Sequence, residues 1–289
     1  MKILVYGEVL FDVYPDEKYI GGASFNFAAH CSNEGLDATL LTAVGYDQLG
    51  EDAIATITEH GINDSLVLKN NKNTGMVTVT LDENKIPSYD VHVDIAYDNI
   101  ELNDQIISEI KSVGFDCLYF GTLIQRNSVS RNSLVRLVRS VDFDNIFCDI
   151  NLRKDCYDAE SVRLCLENAT ILKISDEEEP LLRNLGLYNT CDQSYEGIAK
   201  AISERYNNVK IVVITLGSKG SFAYDSQTKK AYYQDAVKCE VVSTVDAGDS
   251  FGAAFLSSHL LGEDVEDSLK KGAELSSFVV AHAEAVPKR

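Results

Sequence analysis

Short β-branched segments alternate with amphipathic helical patterns along most of this chain, and this alternation constrains the fold more than any other feature. The candidate strands lie near residues 2–6, 38–44, 116–120, 146–150, 170–174 and 209–214. Strands separated by helices pair in parallel through right-handed crossovers. The pattern therefore predicts an α/β fold, a doubly wound and mainly parallel sheet with helices on both faces. Ligands of such sheets bind beyond the carboxyl ends of the strands.

Residues 74–97 depart from this alternation. Apolar and polar residues alternate on both sides of a polar turn, which is typical of an antiparallel hairpin. We interpret this hairpin and the strand-like segment 12–20 as a small β lid on a main domain formed by residues 1–11, 21–73 and 98–289. An apolar lid face needs a cover, and a second copy of the chain would provide one. We therefore expect a homodimer through the lid.

Charge and hydropathy limit the partners of the protein. The 45 acidic and 26 basic residues give a formal net charge of −19, which argues against binding to nucleic acid or to an anionic membrane. No segment approaches 18 consecutive apolar residues, and the first apolar run is too short for a signal peptide. The seven cysteines contain no Cys-x-x-Cys pair and are expected to be reduced. We expect a cytoplasmic protein that binds a small molecule.

The segment STVDAGDSFGAAFL, residues 243–256, is the strongest candidate for a functional site. Ala247, Gly248 and Asp249 lead directly into an apolar helical run. The first turn of a helix has unpaired backbone amides and the positive end of the helix dipole, so it can bind a phosphate. Asp249 could then take a proton from a neighbouring hydroxyl group. The alternative is that Asp249 and Ser250 only cap a core helix.

Two further candidates follow the first strand. Asp12 lies where a substrate hydroxyl could bind, although an acidic residue in a loop is more often simply solvated. Gly22 belongs to a glycine pair that permits a hinge, and Ser24 has the character of a helix N-cap. Asn26, in the first turn of that helix, can both donate to and accept from a sugar hydroxyl.

Polar residues also follow the strands in the second half of the chain. Asp149, Asn151 and Arg153 leave strand 146–150 on one side, as a ligand site or as a structural salt bridge. Ser175 and Glu178 have capping-box spacing, although the acids at 176–178 could instead orient a hydrated magnesium ion. The turn at 215–220, TLGSKG, could approach a nucleotide or be an ordinary hairpin turn, and it is not a Walker A loop.

The ordered set of these segments carries more information than any one of them. It comprises GEVLFD, GGASFNFAAH, VGYDQLGEDA, TGMVTVTLDE, GTLIQRNSVSR, DINLRKD, LKISDEEE, TLGSKGS and AGDSFGAAF. Over nearly its whole length the chain resembles the ribokinase-like carbohydrate kinases, often called the PfkB family, and among them the bacterial fructokinases. The resemblance implies a doubly wound α/β domain with a small β lid, and transfer of the γ-phosphoryl group of ATP to a sugar hydroxyl.

The resemblance also implies roles for individual residues. Asp249 would be the general base, and the amides around Ala247 and Gly248 would form the anion hole. The sugar would bind to Asp12, Gly22 and Asn26, with Arg126 as an additional contact. Glu178 would position Mg²⁺ through water. The nucleotide site would be lined by Ser175, Thr215, Gly217, Gly220 and His282.

Three positions depart from the pattern of the family. Asp246 stands where the Asp-Thr-x-Gly-Ala-Gly-Asp motif has its first glycine, and an acid facing a phosphate there would weaken binding about a hundredfold. Ser243 and Glu284 lie where family members hold a monovalent cation. The resemblance therefore does not extend to the binding of that cation. Asp246 and Ser243 favour an alternative, a catalytically weakened sugar- or nucleotide-binding paralogue with a regulatory or scaffolding role. Within the kinase class, 2-keto-3-deoxygluconate, ribose or a nucleoside remains an alternative acceptor.

Overall fold

A computed structural model describes residues 1–14, 17–81 and 87–288 of the chain. Its strands are β1 (Lys2–Tyr6), β2 (Leu10–Val13), β3 (Lys18–Gly21), β4 (Asp37–Gly45), β5 (Val67–Asn70), β6 (Gly75–Leu81), β7 (Pro87–Val91), β8 (Cys117–Gly121), β9 (Asn145–Asp149), β10 (Ile171–Ser175), β11 (Ile211–Thr215), β12 (Ser221–Asp225) and β13 (Lys230–Gln234). Its α-helices are α1 (Ala23–Asn33), α2 (Gln48–Glu59), α3 (Asp104–Val113), α4 (Ser128–Ser140), α5 (Ala159–Asn168), α6 (Glu179–Asn184), α7 (Tyr195–Arg205), α8 (Ala247–Leu260) and α9 (Val265–Val280).

The main sheet contains nine of the described strands, in the order β13-β12-β11-β10-β9-β8-β1-β4-β5. The strands from β11 to β5 pair in parallel, and β12 and β13 add an antiparallel edge. The predicted doubly wound, mainly parallel fold is confirmed. The sequence patterns did not predict β5, β12 or β13, which lie at the two edges of this sheet.

Helices cover both faces of the main sheet. Along β1, Leu4 and Tyr6 pack into one apolar cluster with α3 to α7, whereas Ile3 and Val5 pack into a second cluster with α1, α2, α8 and α9. This alternation follows from the two-residue period of a strand, and burial on both faces explains why the central parallel strands are mainly apolar. None of the helices in the described part of the chain is both long and apolar enough to cross a bilayer.

The second sheet is small and has four described strands, in the order β3-β2-β6-β7. Strand β2 pairs in parallel with β6, and the other two pairings are antiparallel. These strands come from the two segments that we interpreted as a lid, although residues 15–16 and the predicted hairpin turn at 82–86 lie outside the described residues. The domain boundaries drawn from the sequence remain a prediction.

Helix α8 lies between the main sheet and its neighbouring helices, so it is buried almost all round. All nine residues from 249 to 257 are buried. Gly252 lies on the face of α8 that packs on the sheet, where a Cβ atom would be in van der Waals contact, 3.4 Å from Lys173 and from two phenylalanine rings. The start of α8 is thereby held against the carboxyl ends of β9 and β10.

Candidate active site

A cavity of about 380 Å³ opens at the carboxyl ends of three neighbouring strands. Its walls come from the ends of β9, β10 and β11 and from the segment that begins α8. The lining includes Asp149, Asn151, Arg153, Lys173, Ser175, Glu178, Thr215, Gly248 and Asp249, together with residues 244–246. The cavity therefore lies at the edge of the sheet where ligands of doubly wound folds bind.

The first turn of α8 forms one wall of this cavity. The helix starts at Ala247, directly after Asp246, and no side chain of the described residues caps its first amides. A Cβ atom on Gly248 would lie 3.4 Å from Lys173 Nζ, so the glycine leaves a small cradle beside a positive charge. Free amides, the positive helix end and a lysine together suit a phosphate group.

Lys173 and Asp149 form a buried ion pair at the base of the cavity. Lys173 Nζ lies 2.9 and 2.8 Å from the two carboxylate oxygens of Asp149, and the side chains are 7% and 1% exposed. Burial lowers the pKa of Lys173, but the charges of Asp149, Glu178 and Asp249 outweigh burial and raise that pKa above its usual value. Lys173 therefore stays charged beside the start of α8.

Asp249 lies near the charge of Lys173 and close to Asn26. The Asp249 residue is 4% exposed and contributes to the cavity lining, and its Oδ2 lies 3.5 Å from Asn26 Nδ2. Burial raises the pKa of Asp249 well above its ordinary value, and the carboxylates of Asp246 and Asp149 add to this effect. A carboxylate with a raised pKa is a better acceptor for the proton of a hydroxyl group.

Asp246 does not face the helix amides. Its side chain accepts a hydrogen bond from Asn26 Nδ2, at 2.5 Å, and its backbone has the left-handed φ of 65°. The Oδ1 atom of Asn26 is buried and has no hydrogen-bond partner among the described residues. The Asp246 carboxylate therefore makes no contact with the amides at the start of α8, and the weakening of phosphate binding considered above applies only to a side chain that faces those amides.

Asp12 and Gly22 lie on the side of the small sheet. Asp12 belongs to β2, where it is half-buried, and Arg153 and Asp246 are near enough to affect it electrostatically. Gly22 precedes α1 with a φ of 106°, and a Cβ atom there would lie 3.0 Å from the carbonyl oxygen of Glu8. The predicted N-cap role of Ser24 is wrong, because the Ser24 amide and hydroxyl both donate to the buried carboxylate of Glu8.

Arg126 is not part of the cavity lining. Its guanidinium donates to both carboxylate oxygens of Asp98, at 2.7 and 2.8 Å, and to the carbonyl oxygen of His92, at 2.6 Å. The same group lies over the ring of Tyr97, at 5.1 Å from its centroid. These contacts give Arg126 a structural role next to the small sheet. They lend no support to the predicted sugar contact, which remains a prediction.

The residues predicted to bind nucleotide fall into two groups. Ser175 and Thr215 line the cavity, whereas Gly217, Gly220 and His282 do not. Gly220 is required by packing, since a Cβ atom there would lie 2.0 Å from the carbonyl oxygen of Gln234 in β13. The exposed His282 has its ring 4.4 Å from that of Phe278 at the end of α9. The TLGSKG segment thus leads from β11 into the antiparallel strand β12.

Glu178 is held rigidly at the cavity wall. Its two carboxylate oxygens accept from the amides of Leu152, at 2.6 Å, and Ser175, at 2.8 Å, while the Glu178 amide donates to Ser175 Oγ. The capping-box contacts expected from the spacing are therefore present. Among the described residues, no three metal-ligating side chains are grouped closely enough to hold a metal. The Glu178 carboxylate lines the cavity, and Mg²⁺ can bind to one or two carboxylates while it keeps several waters.

Lys173 lines the cavity but was not among the candidates drawn from the sequence. A single lysine interrupts the otherwise apolar core of β10, Ile171–Ser175. A charge inside a buried parallel strand is rarely tolerated without a partner or a ligand, so this interruption was the available signal.

Comparisons with known proteins agree with the geometry. A sequence profile described as pfkB family carbohydrate kinase matches residues 2–288. An uncharacterized sugar kinase of Pyrococcus horikoshii, PH1459, is 29% identical over 258 residues, which cover 86% of this chain and 75% of that protein. A 5-dehydro-2-deoxygluconokinase of Halalkalibacterium halodurans is 26% identical over 97% of this chain and 85% of its own length.

Solved structures show the same fold. A fructokinase of Xylella fastidiosa with bound ATP has a TM-score of 0.83 at 16% identity, covering 99% of this chain and 94% of that one. The P. horikoshii kinase in complex with ATP has a TM-score of 0.81 at 24% identity, with the same coverage.

Proposed function

The chain belongs to the pfkB family of carbohydrate kinases and is a sugar phosphotransferase, and from this premise we propose an ATP- and Mg²⁺-dependent, fructokinase-like enzyme. One observation carries the proposal: the buried Asp249 carboxylate and the uncapped amides of α8 border a single cavity. Phosphoryl transfer requires mainly alignment and neutralisation of charge, and this arrangement supplies both.

Residues in and beside the cavity have distinct tasks in this proposal. Asp249 accepts the proton of the acceptor hydroxyl, and Asn26, Asp12 and Gly22 hold the sugar on the side of the small sheet. The amides of Ala247 and Gly248, with the charge of Lys173, bind the terminal phosphate. ATP supplies the phosphoryl group, and Mg²⁺ neutralises its charge.

The nucleotide side of the cavity carries the remaining assignments. Ser175 and Thr215 contact the nucleotide, and Glu178 orients Mg²⁺ through water. The same proposal includes a cytoplasmic location and a homodimer through the small sheet. Tyr19 of β3 is 52% exposed and Val93, just after β7, is 75% exposed, and a second copy could cover both side chains.

A sugar acid is the second candidate acceptor, and Arg153 favours it. This side chain is exposed, lines the cavity and makes no ion pair with a described residue. A guanidinium without an ion pair suits a carboxylate on the substrate, although Arg153 also interacts electrostatically with Asp12, Asp149, Asp246 and Asp249. The relative from H. halodurans is named for a gluconate derivative, which agrees with this alternative.

The direction of the Asp246 side chain weakens one argument for the non-catalytic alternative, although its carboxylate still lines the cavity. That side chain bonds to Asn26, so it does not occupy the place of the phosphate at the start of α8.

An ADP-release assay over a panel of acceptors tests the proposal. The panel contains fructose, ribose, a nucleoside, 2-keto-3-deoxygluconate and 5-dehydro-2-deoxygluconate, each with ATP and Mg²⁺. We expect turnover with fructose, or with the sugar acids if Arg153 determines the acceptor. An Arg153→Gln variant should lose the sugar acids selectively. Thermal stabilisation by a sugar or by ATP, without turnover of any acceptor, would instead identify a binding protein.

A further inference from the structure

Asp246 occupies an unusual backbone position beside the base. Its φ of 65° lies in the left-handed region, which asparagine and glycine also tolerate well. The residue is partly buried and lines the cavity, but it does not cap the helix that it precedes. Its carboxylate is therefore placed for an interaction other than helix capping.

The Asp246 side chain is in hydrogen-bond contact with the Asp249 side chain, and one amide group contacts both carboxylates. Asn26 Nδ2 lies 2.5 Å from Asp246 Oδ1 and 3.5 Å from Asp249 Oδ2. The two hydrogens of a carboxamide can serve two acceptors, so Asn26 bridges both carboxylates. This bridge fixes the orientation of the Asn26 side chain, which we assigned to the sugar.

We infer that Asp246 is a positioning residue for Asp249: it anchors the Asn26 amide that holds the base, and its negative charge makes Asp249 a stronger base. This inference rests on the proposed function. The chemistry of the pair is that of two carboxylates sharing one site, in which the second proton is released less readily than the first.

The charged and titratable groups around the pair come from five elements. Those that affect Asp246 or Asp249 are Asp12 on β2, Tyr119 on β8, Asp149 on β9, Arg153 in the following loop and Lys173 on β10. Burial is the first cause of the raised pKa of Asp249, and Asp246 is the second, whereas Lys173 and Arg153 lower that pKa. Removing the Asp246 charge therefore lowers the pKa of the base while burial still keeps it raised.

Substitutions at Asp246 separate its charge from its anchoring role. Asp246→Asn keeps an acceptor for Asn26 and removes the charge, and Asp246→Gly removes both. Asparagine and glycine both tolerate a positive φ, so we expect both variants to fold. Asp155 is an exposed aspartate that also has a positive φ, of 60°, and Asp155→Asn is the matched control.

The first readout is the pH dependence of kcat/KM. Two like charges about 5 Å apart at an effective dielectric near 20 correspond to a shift of roughly two pH units. We expect the acid limb to move down by about this amount in both Asp246 variants, and to stay in place in Asp155→Asn. Asp246→Gly should in addition lose about tenfold in kcat, a loss that Asp246→Asn avoids because the anchor is kept.

The second readout does not require activity. A carboxyl whose pKa is raised by folding contributes stability below its unfolded pKa of about 3.9, and this contribution is lost as the pH rises through the folded pKa. The melting temperature of Asp246→Asn should therefore exceed that of the parent protein near about pH 8, and the two should converge near about pH 4. Asp155→Asn should follow the parent throughout.

The outcomes are distinguishable. Unchanged pH profiles in an active enzyme, or a Tm difference that does not vary with pH, overturn the inference about Asp246 and leave the kinase proposal intact. A parent protein that turns over no acceptor overturns the proposed function, and with it the role of Asp249 as a base. An acid limb that moves to lower pH in both Asp246 variants, together with an increase in Tm that depends on pH, supports the inference.

Discussion

Replacing Lys173 by methionine removes the only cation that hydrogen-bonds Asp149 among the described residues. Lys173 Nζ contacts both carboxylate oxygens, and the Asp149 side chain is 1% exposed, so the variant leaves an uncompensated buried carboxylate. Breaking a buried ion pair in this way costs about 3–5 kcal/mol in free energy of unfolding. Because the pair borders a cavity that water can enter, we expect the lower end, about 3 kcal/mol.

Urea unfolding of a double-mutant cycle measures this value. Lys173→Met combined with Asp149→Asn removes both charges, so the double variant should be at least about 1 kcal/mol more stable than the sum of the single losses predicts. The exposed pair Lys271–Glu274, 3.5 Å apart, provides the control. Lys271→Met should change the free energy of unfolding by no more than about 0.5 kcal/mol.

The loss of unfolding free energy in Lys173→Met should also depend on pH. Loss of the ammonium raises the pKa of Asp149 further, so Lys173→Met should differ little from the parent near about pH 4 and should lose stability as the pH rises. A destabilisation below about 1 kcal/mol at neutral pH, or additive losses in the cycle, would refute the reasoning.

Three further predictions concern the sugar side and the small sheet. Asn26→Ala should raise KM for the acceptor at least about tenfold with little change in KM for ATP, and equal effects on both substrates would contradict the assignment. Arg126→Lys cannot keep the bidentate hydrogen bonds to Asp98, so amide hydrogen exchange around His92 should become faster in this variant. Unchanged exchange would argue against a structural role of Arg126. Burial raises the pKa of Glu8, so Glu8→Gln should melt higher than the parent near about pH 8 and equally near about pH 4; a constant difference would contradict this.

The parts of the fold that were predictable are those buried on both faces. The strands near 2–6, 38–44 and 117–121 are continuous apolar runs because helices cover both sides of the sheet, and such runs are easily recognised. Strand β13, with the sequence KAYYQ, is mostly exposed and lies at the sheet edge. Edge strands of this kind share their composition with loops, so periodicity alone does not identify them.

The candidate site was predictable in its residue types but not in its contacts. Asn26 and Asp249 are 223 residues apart, and no local pattern implies their proximity; it followed only from the resemblance to a family. The direction of the Asp246 side chain depends on a backbone angle that composition does not determine. The sugar contact of Arg126 came from the family resemblance, whereas its ion pair with Asp98 could not be inferred before the tertiary structure was known.

The most direct measurement is the turnover of Asp249→Asn with its best acceptor, alongside the Kd for ATP. The account predicts a fall in kcat of about 10²–10⁴-fold with unchanged nucleotide affinity, because the base is lost while the amides of α8 remain. Asp264→Asn, at the exposed N-cap of α9, should leave both quantities as in the parent. Turnover by Asp249→Asn within about threefold of the parent would contradict the assignment of Asp249 as the base.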